Sequence, residues 1–316
     1  MPSRFVAFSV LFLATPLFAD ITVRYSTDFT VNPSFPAGIV DQIRNTGLGA
    51  FGPTEIRIKG DKAYANVGKF SFVADFVTNQ LTYIDSANRR YATVQADEFG
   101  SRLASSMPQL PPQADALANM FKADVQSRKT GQSATIRGLA ADEYEMVVGL
   151  SISLPNLPTG SGPAVRVVMR IWRANTDGAA TNPALSEFMR FSDRAGSFMN
   201  PTNFLSNLAG PFQSLGQNIK TIQDELLKQK SPVLRIQMEE TSPMLAALLP
   251  QARGAGQPPP ANFDPAAPLI SFNEEIVELS TTPVEDSLFQ APAGFSKVAL
   301  EEILKDQFAA IAAPAR

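Results

Sequence analysis

The stretch 56–98 alternates apolar and polar residues and carries a turn signal at every reversal, which commits the centre of the chain to an antiparallel sheet. Ile56-Arg57-Ile58-Lys59 runs into Gly60-Asp61, a two-residue turn, and Lys62-Ala63-Tyr64-Ala65 begins the return strand. Phe70, Phe72, Ala74 and Phe76 then share one face, with Lys69, Ser71 and Asp75 on the other, as a period of two requires. Asn79-Gln80 turns the chain into Leu81-Thr82-Tyr83-Ile84, and Asp85-Ser86-Ala87-Asn88 turns it again into Arg90-Tyr91-Ala92-Thr93-Val94. Asp97-Glu98 opens a helix.

The flanks follow the same alternation. Ile21, Val23, Tyr25, Thr27, Phe29 and Val31 lie on one face of a first strand, and Thr22, Arg24, Ser26 and Asp28 give it a wet face. Between 97 and 124 the pattern is helical, through Phe99 and Leu103 and then Leu117, Met120 and Phe121; the prolines at 108–112 split it into two short helices. Short strands are predicted at 125–128 and 134–137. In the next strand Tyr144, Met146 and Val148 face one way and Glu143 and Glu145 the other, and Val165, Val167, Met169 and Ile171 build a further strand ending at Trp172. Asn182-Pro183 is a helix start, a capping residue followed by proline at the first helical position. It opens a helical insertion over 182–230, with apolar stripes at Leu185, Phe188 and Met189 and at Leu215, Ile219, Ile222 and Leu226. Strands are predicted again at 233–239 and 269–280, separated by a short helix at 244–249 and a proline-rich loop at 250–268. A C-terminal helix carries Leu300, Ile303, Leu304, Phe308 and Ile311 on its apolar side.

Residues 1–19 have the layout of a secretory signal peptide: one charge at Arg4, an apolar run from Phe5, and a small residue at Ala19. The expected location is periplasmic or secreted, with residues 20–316 forming a single domain that has no integral membrane segment. Removal of the leader leaves 26 basic against 30 acidic residues and no basic block, so nucleic acid has no electrostatic foothold.

The chain contains neither histidine nor cysteine. Disulfides, histidine-based nucleophilic sites and the usual nitrogen and sulfur ligands of zinc, copper and haem are thereby excluded. Glu143 and Glu145 share a strand face, but alternating charge is the ordinary pattern of a solvated antiparallel strand. Glu239-Glu240 and Glu274-Glu275 place neighbours on opposite faces. Gly160-Ser161-Gly162 lacks the lysine and helix start of a phosphate loop. The expectation is a protein that is not an enzyme and has no cofactor and no metal. The aromatic row Phe70, Phe72 and Phe76 reads either as core or as the lining of a site for an apolar ligand, because both are built of the same side chains.

Several short pieces carry a resemblance: Ile58-Lys59-Gly60-Asp61-Lys62-Ala63-Tyr64; Leu81-Thr82-Tyr83-Ile84-Asp85 with Tyr91; Thr135-Ile136-Arg137-Gly138-Leu139 leading into Glu143-Tyr144; Ile171-Trp172; Ser231-Pro232-Val233-Leu234; and Pro292-Ala293-Gly294-Phe295. Together they resemble the half-barrel superfamily of periplasmic lipoprotein carriers and sorting proteins, and especially its exported relatives whose domain has no assigned function. The resemblance implies an α+β fold in which a strongly curved antiparallel sheet has its concave face partly covered by helices, and which in some relatives holds acyl chains. The long insertion and the proline-rich loop depart from the carriers, and no binding residue of the carriers is matched here. The alternation leads us to expect about nine to eleven strands in one sheet. The expected function is binding or carriage of a hydrophobic ligand, a lipid or lipoprotein acyl chain, lined by Phe70, Phe72, Phe76, Tyr144, Met146 and Met169. The alternative is a non-catalytic structural or interaction protein of the cell envelope, with a protein partner there.

Overall fold

The computed structural model describes residues 20–33, 40, 54–67, 70–106, 121–152, 163–175, 177, 182–195, 231–243 and 267–312. The predicted leader, the helix over 117–120, the loop around Gly160, the helix over 215–226, the helix at 244–249 and the proline-rich stretch up to 266 lie outside the described residues.

The described strands form one open sheet of 12, in the order β12-β6-β5-β4-β3-β2-β1-β11-β10-β9-β8-β7. Their ranges are β1 Ile21–Val31, β2 Glu55–Lys59, β3 Lys62–Val67, β4 Phe70–Asp75, β5 Gln80–Asp85, β6 Arg90–Gln95, β7 Phe121–Ile136, β8 Leu139–Ile152, β9 Val165–Ala174, β10 Val233–Thr241, β11 Ile270–Ser280 and β12 Ser296–Lys297. Helices α1 (Ala96–Ser106), α2 (Pro183–Ala195) and α3 (Leu300–Ala312) accompany it, with a 3₁₀ turn at Asp286–Phe289. The fold is α+β. Its sheet is larger than expected and mixed, because the two-residue β12 pairs parallel with Arg90 and Tyr91 of β6 while every other pairing is antiparallel.

The central meander follows its turn chemistry. Gly60 takes φ +57°, a left-handed backbone that costs glycine nothing, and Lys59 pairs with Lys62 across it. The Asp75 carboxylate accepts hydrogen bonds from the backbone of Val77 and Thr78, both at 3.0 Å, and shapes the next turn. The Arg137-Gly138 turn between β7 and β8 has both residues at positive φ, +51° and +79°, the conformation whose twist matches a right-twisted hairpin.

Two predictions about local structure are corrected. Phe121, expected at the end of a helix, begins β7, and the two short strands expected at 125–128 and 134–137 are one strand of 16 residues. A register shift between Lys129 and Ser133 interrupts its alternation, which is why the pattern reads as two pieces. The far face of β4, expected to be polar, buries Val73 and Ser71. Val284 and Phe289 pack there with Val73 and Ile84, and the Ser71 hydroxyl is satisfied by Tyr64 at 2.9 Å.

On the other face, Val23, Ile56, Ala65, Phe72, Tyr83 and Ala92 lie in register across β1 to β6. Helix α2 adds Leu185, Phe188 and Phe191 to this core, and α3 adds Leu300, Ile303 and Leu304, all six buried. The start of α2 is as expected, with Asn182 Oδ1 accepting the Leu185 N–H at 3.0 Å. Helix α3 is pinned electrostatically as well: Arg90 bonds the buried Asp85 at 2.9 Å and reaches Asp306 at 2.7 Å. Burial opposes ionisation of Asp85, but Asn88 and Arg90 outweigh it and hold its carboxyl below the usual range.

Candidate functional site

By register and alternation all six residues expected to line a ligand site share one face of the sheet, but in two separate groups. The register places Tyr144 and Met146 on β8 and Met169 on β9, seven and six strand positions from β4. At the usual spacing between strands that is roughly 30 Å measured along the sheet.

The first group is surrounded by its own aromatic neighbours. Phe70 stacks on Tyr83 at 5.3 Å between ring centroids, and Phe72 meets the same ring edge-on at 4.7 Å. Phe99 of α1 closes over Phe72 at 6.3 Å, and Phe191 of α2 over Phe76 at 5.7 Å. The Tyr83 hydroxyl accepts a hydrogen bond from Gln307 of α3. Edge-to-face and offset contacts of this kind fix each ring in one orientation.

The second group belongs to a row of a different composition. Phe29, Phe272, Met238, Met169, Met146 and Ser127 stand in register across β1, β11, β10, β9, β8 and β7. The alternation of β1 puts Phe29 on the same face as Val23. Three methionines on three adjacent strands therefore form the middle of the row, with Met146 buried to 3% exposure. Met146 and Met169 are expected site residues and Met238 is not, because only the register reveals that the three meet.

The neighbouring row is Thr27, Glu274, Ile236, Ile171 and Tyr144. Glu274 is 7% exposed, and neither its Oε2 nor Thr27 Oγ1 has a hydrogen-bond partner. Burial pushes its carboxyl up to about 7, with the Thr27 hydroxyl pulling the other way. Tyr25, two residues before Thr27, is raised above the usual phenol range by burial and by the Glu274 charge. Glu240, in register with Ile270 and Val167 on the far side of the methionine row, is also raised by burial. The carboxylates therefore break an otherwise apolar surface. Strand β11 carried a readable sign of this, since Ile270, Phe272, Glu274 and Ile276 share one phase and only one of them is charged.

Compared with known proteins, the chain matches no family model and no curated protein. The paired carboxylates Glu143 and Glu145 do share a face, but Glu145 is engaged by Arg128 at 2.7 Å, while Glu143 is buried opposite Trp172. A cleft of about 630 Å³ near the 60–61 and 76–79 turns is lined by Lys59, Asp61, Lys62, Asp75 and Asp286. Its lysines are already neutralised, Lys59 by Asp286 at 2.8 Å and Lys62 by Asp75 at 3.8 Å. Among the described residues no group of three acidic side chains could hold a metal ion, and no helix is long and apolar enough to cross a membrane.

Proposed function

We propose that this chain is an exported protein that binds or carries a hydrophobic molecule, a lipid or lipoprotein acyl chain, on the concave face of a half-barrel. The observation that carries the reading is the register row of Met146, Met169 and Met238, extended by Phe272 and Phe29. Methionine is unbranched and polarizable, and it accommodates apolar partners of varied shape where a fixed aromatic cluster does not. Tyr144 borders this row, with the Lys129 ammonium 5.8 Å from its ring centroid. Phe70, Phe72 and Phe76 have a packing role in this reading, since their faces are taken by Tyr83, Phe99 and Phe191. The absence of histidine and cysteine favours a binding role over catalysis.

The test is native mass spectrometry and organic extraction of protein purified from cells, with titration of the neutral apolar dye Nile red. A co-purifying lipid, or dye binding that Met169→Lys abolishes, is the expected result. Protein that carries no lipid and takes up no dye contradicts the reading.

One observation favours the envelope-interaction alternative: among the described residues β7 pairs only with β8, so its 16 residues form an edge of the described sheet. Such an edge can accept a strand from a partner, but Lys122, Asp124, Arg128 and Lys129 supply the charges that usually discourage it.

A further inference from the structure

We propose that the hydrophobic ligand carries a primary ammonium head, and that Glu274 and Thr27 receive it; this rests on the reading of the methionine row as the binding surface. Glu274 is 93% buried, counted from its 7% exposure, and one of its carboxylate oxygens is without a partner. A carboxylate in such a place normally has a cation or donors of its own, because an unpaired buried charge costs several kcal/mol. Of its register partners, Ile236 has no donor and the Thr27 hydroxyl only partly offsets the burial. Arg235, on the adjacent strand, is committed to the opposite face, bonding Glu275 at 2.6 Å and lying over the Trp172 ring, and Arg173, buried on β9, gives a hydrogen bond to the Ser231 carbonyl at 2.7 Å.

The orphan atoms define what would fit. Glu274 Oε2 and Thr27 Oγ1 belong to side chains paired in register on the same face, so both can address one group. An ammonium brings three donors and a positive charge and can satisfy both oxygens at once. A carboxylate ligand would instead place two acids together, and a hydroxyl would leave the charge uncompensated. Glu274 stands two residues from Phe272 on β11, about 7 Å along the strand. A head held there would leave its alkyl tail to run along Phe272, Met238, Met169 and Met146.

The experiment is calorimetric titration of the full chain with dodecylamine, dodecanol and dodecanoate near neutral pH, repeated with Glu274→Gln and Thr27→Val. Asp28→Asn, on the opposite face of β1, controls for total charge. Dodecylamine is expected to bind at least tenfold more tightly than the other two, with Glu274→Gln removing that preference, Thr27→Val weakening it, and Asp28→Asn leaving it intact. Equal binding of the three compounds, unchanged by Glu274→Gln, overturns the head-group proposal and leaves the apolar site standing. Binding of none of them overturns both.

Discussion

The β3–β6 part of the sheet and the β8–β11 part are built from the same alternation, yet they are finished in opposite ways. In β3–β6 both faces are sealed by described elements: Phe99, Leu300, Ile303 and Leu304 on one, Val284, Phe289 and Phe295 on the other. Its charges are also closed, with Asp85 bonded by Arg90 and Asn88. In β8–β11 the equivalent face has methionines in place of interlocked rings and a buried carboxylate in place of an ion pair. A region that only had to be stable would not keep an unpaired Glu274 in its apolar row. The contrast therefore separates a part of the sheet organised for stability from a part that retains unsatisfied chemistry.

The largest expected effect lies in the sealed region. Asp85→Ala removes the buried partner of Arg90 and the cap of the 86–89 turn, and should cost about 3 to 5 kcal/mol in chemical denaturation, the usual consequence of breaking a buried pair. A loss below about 1 kcal/mol would mean that α3 is not held as described.

Next comes Glu274, whose effect has the opposite sign and depends on pH. Its carboxyl titrates near 7 in the folded chain, against the ordinary glutamate value of about 4.3 in the unfolded one. Below that lower value both states are protonated and no penalty exists. As pH rises toward 7 the unfolded chain releases the proton while the folded chain keeps it, so stability falls, by on the order of 3 to 4 kcal/mol once pH exceeds the folded value. Glu274→Gln should remove this fall and leave the variant more stable than the parent at pH 8. Tyr25 and Glu240 share the face; the phenol stays neutral in this range, while Glu240 contributes a smaller fall of the same sign. Parallel pH profiles for parent and variant would refute the assignment.

Asn182→Ala should cost about 1 kcal/mol through loss of the α2 cap. Smallest of all, Met169→Leu conserves volume and should change stability by less than about 1.5 kcal/mol while reducing the range of apolar compounds bound. A severe loss of stability would place the methionine row among the tightly fitted core instead.

Much of the sheet is legible in the sequence. Turn residues at Gly60, Asp85 and Gly138 and the alternation on either side of them determine register locally, and the 3-4 spacing of Leu300, Ile303 and Leu304 marks a buried helix face. What was not legible depends on contacts between distant segments. The burial of Val73 requires Val284 and Phe289, about two hundred residues later. The continuity of β7 is hidden by the polar run Thr130-Gly131-Gln132, where the register shifts. The candidate site was half visible: Met146 and Met169 stand on neighbouring strands in sequence, whereas Met238 and Thr27 reach Met169 and Glu274 only through pairings across the whole chain.

Methyl-labelled methionine NMR during titration with dodecanol tests the difference between the two regions most directly, because Met189, packed into the core with α2, serves as an internal reference. Met146, Met169 and Met238 are expected to shift together and saturate while Met189 stays in place. Resonances that do not move, or a Met189 that moves as far as the other three, would contradict it.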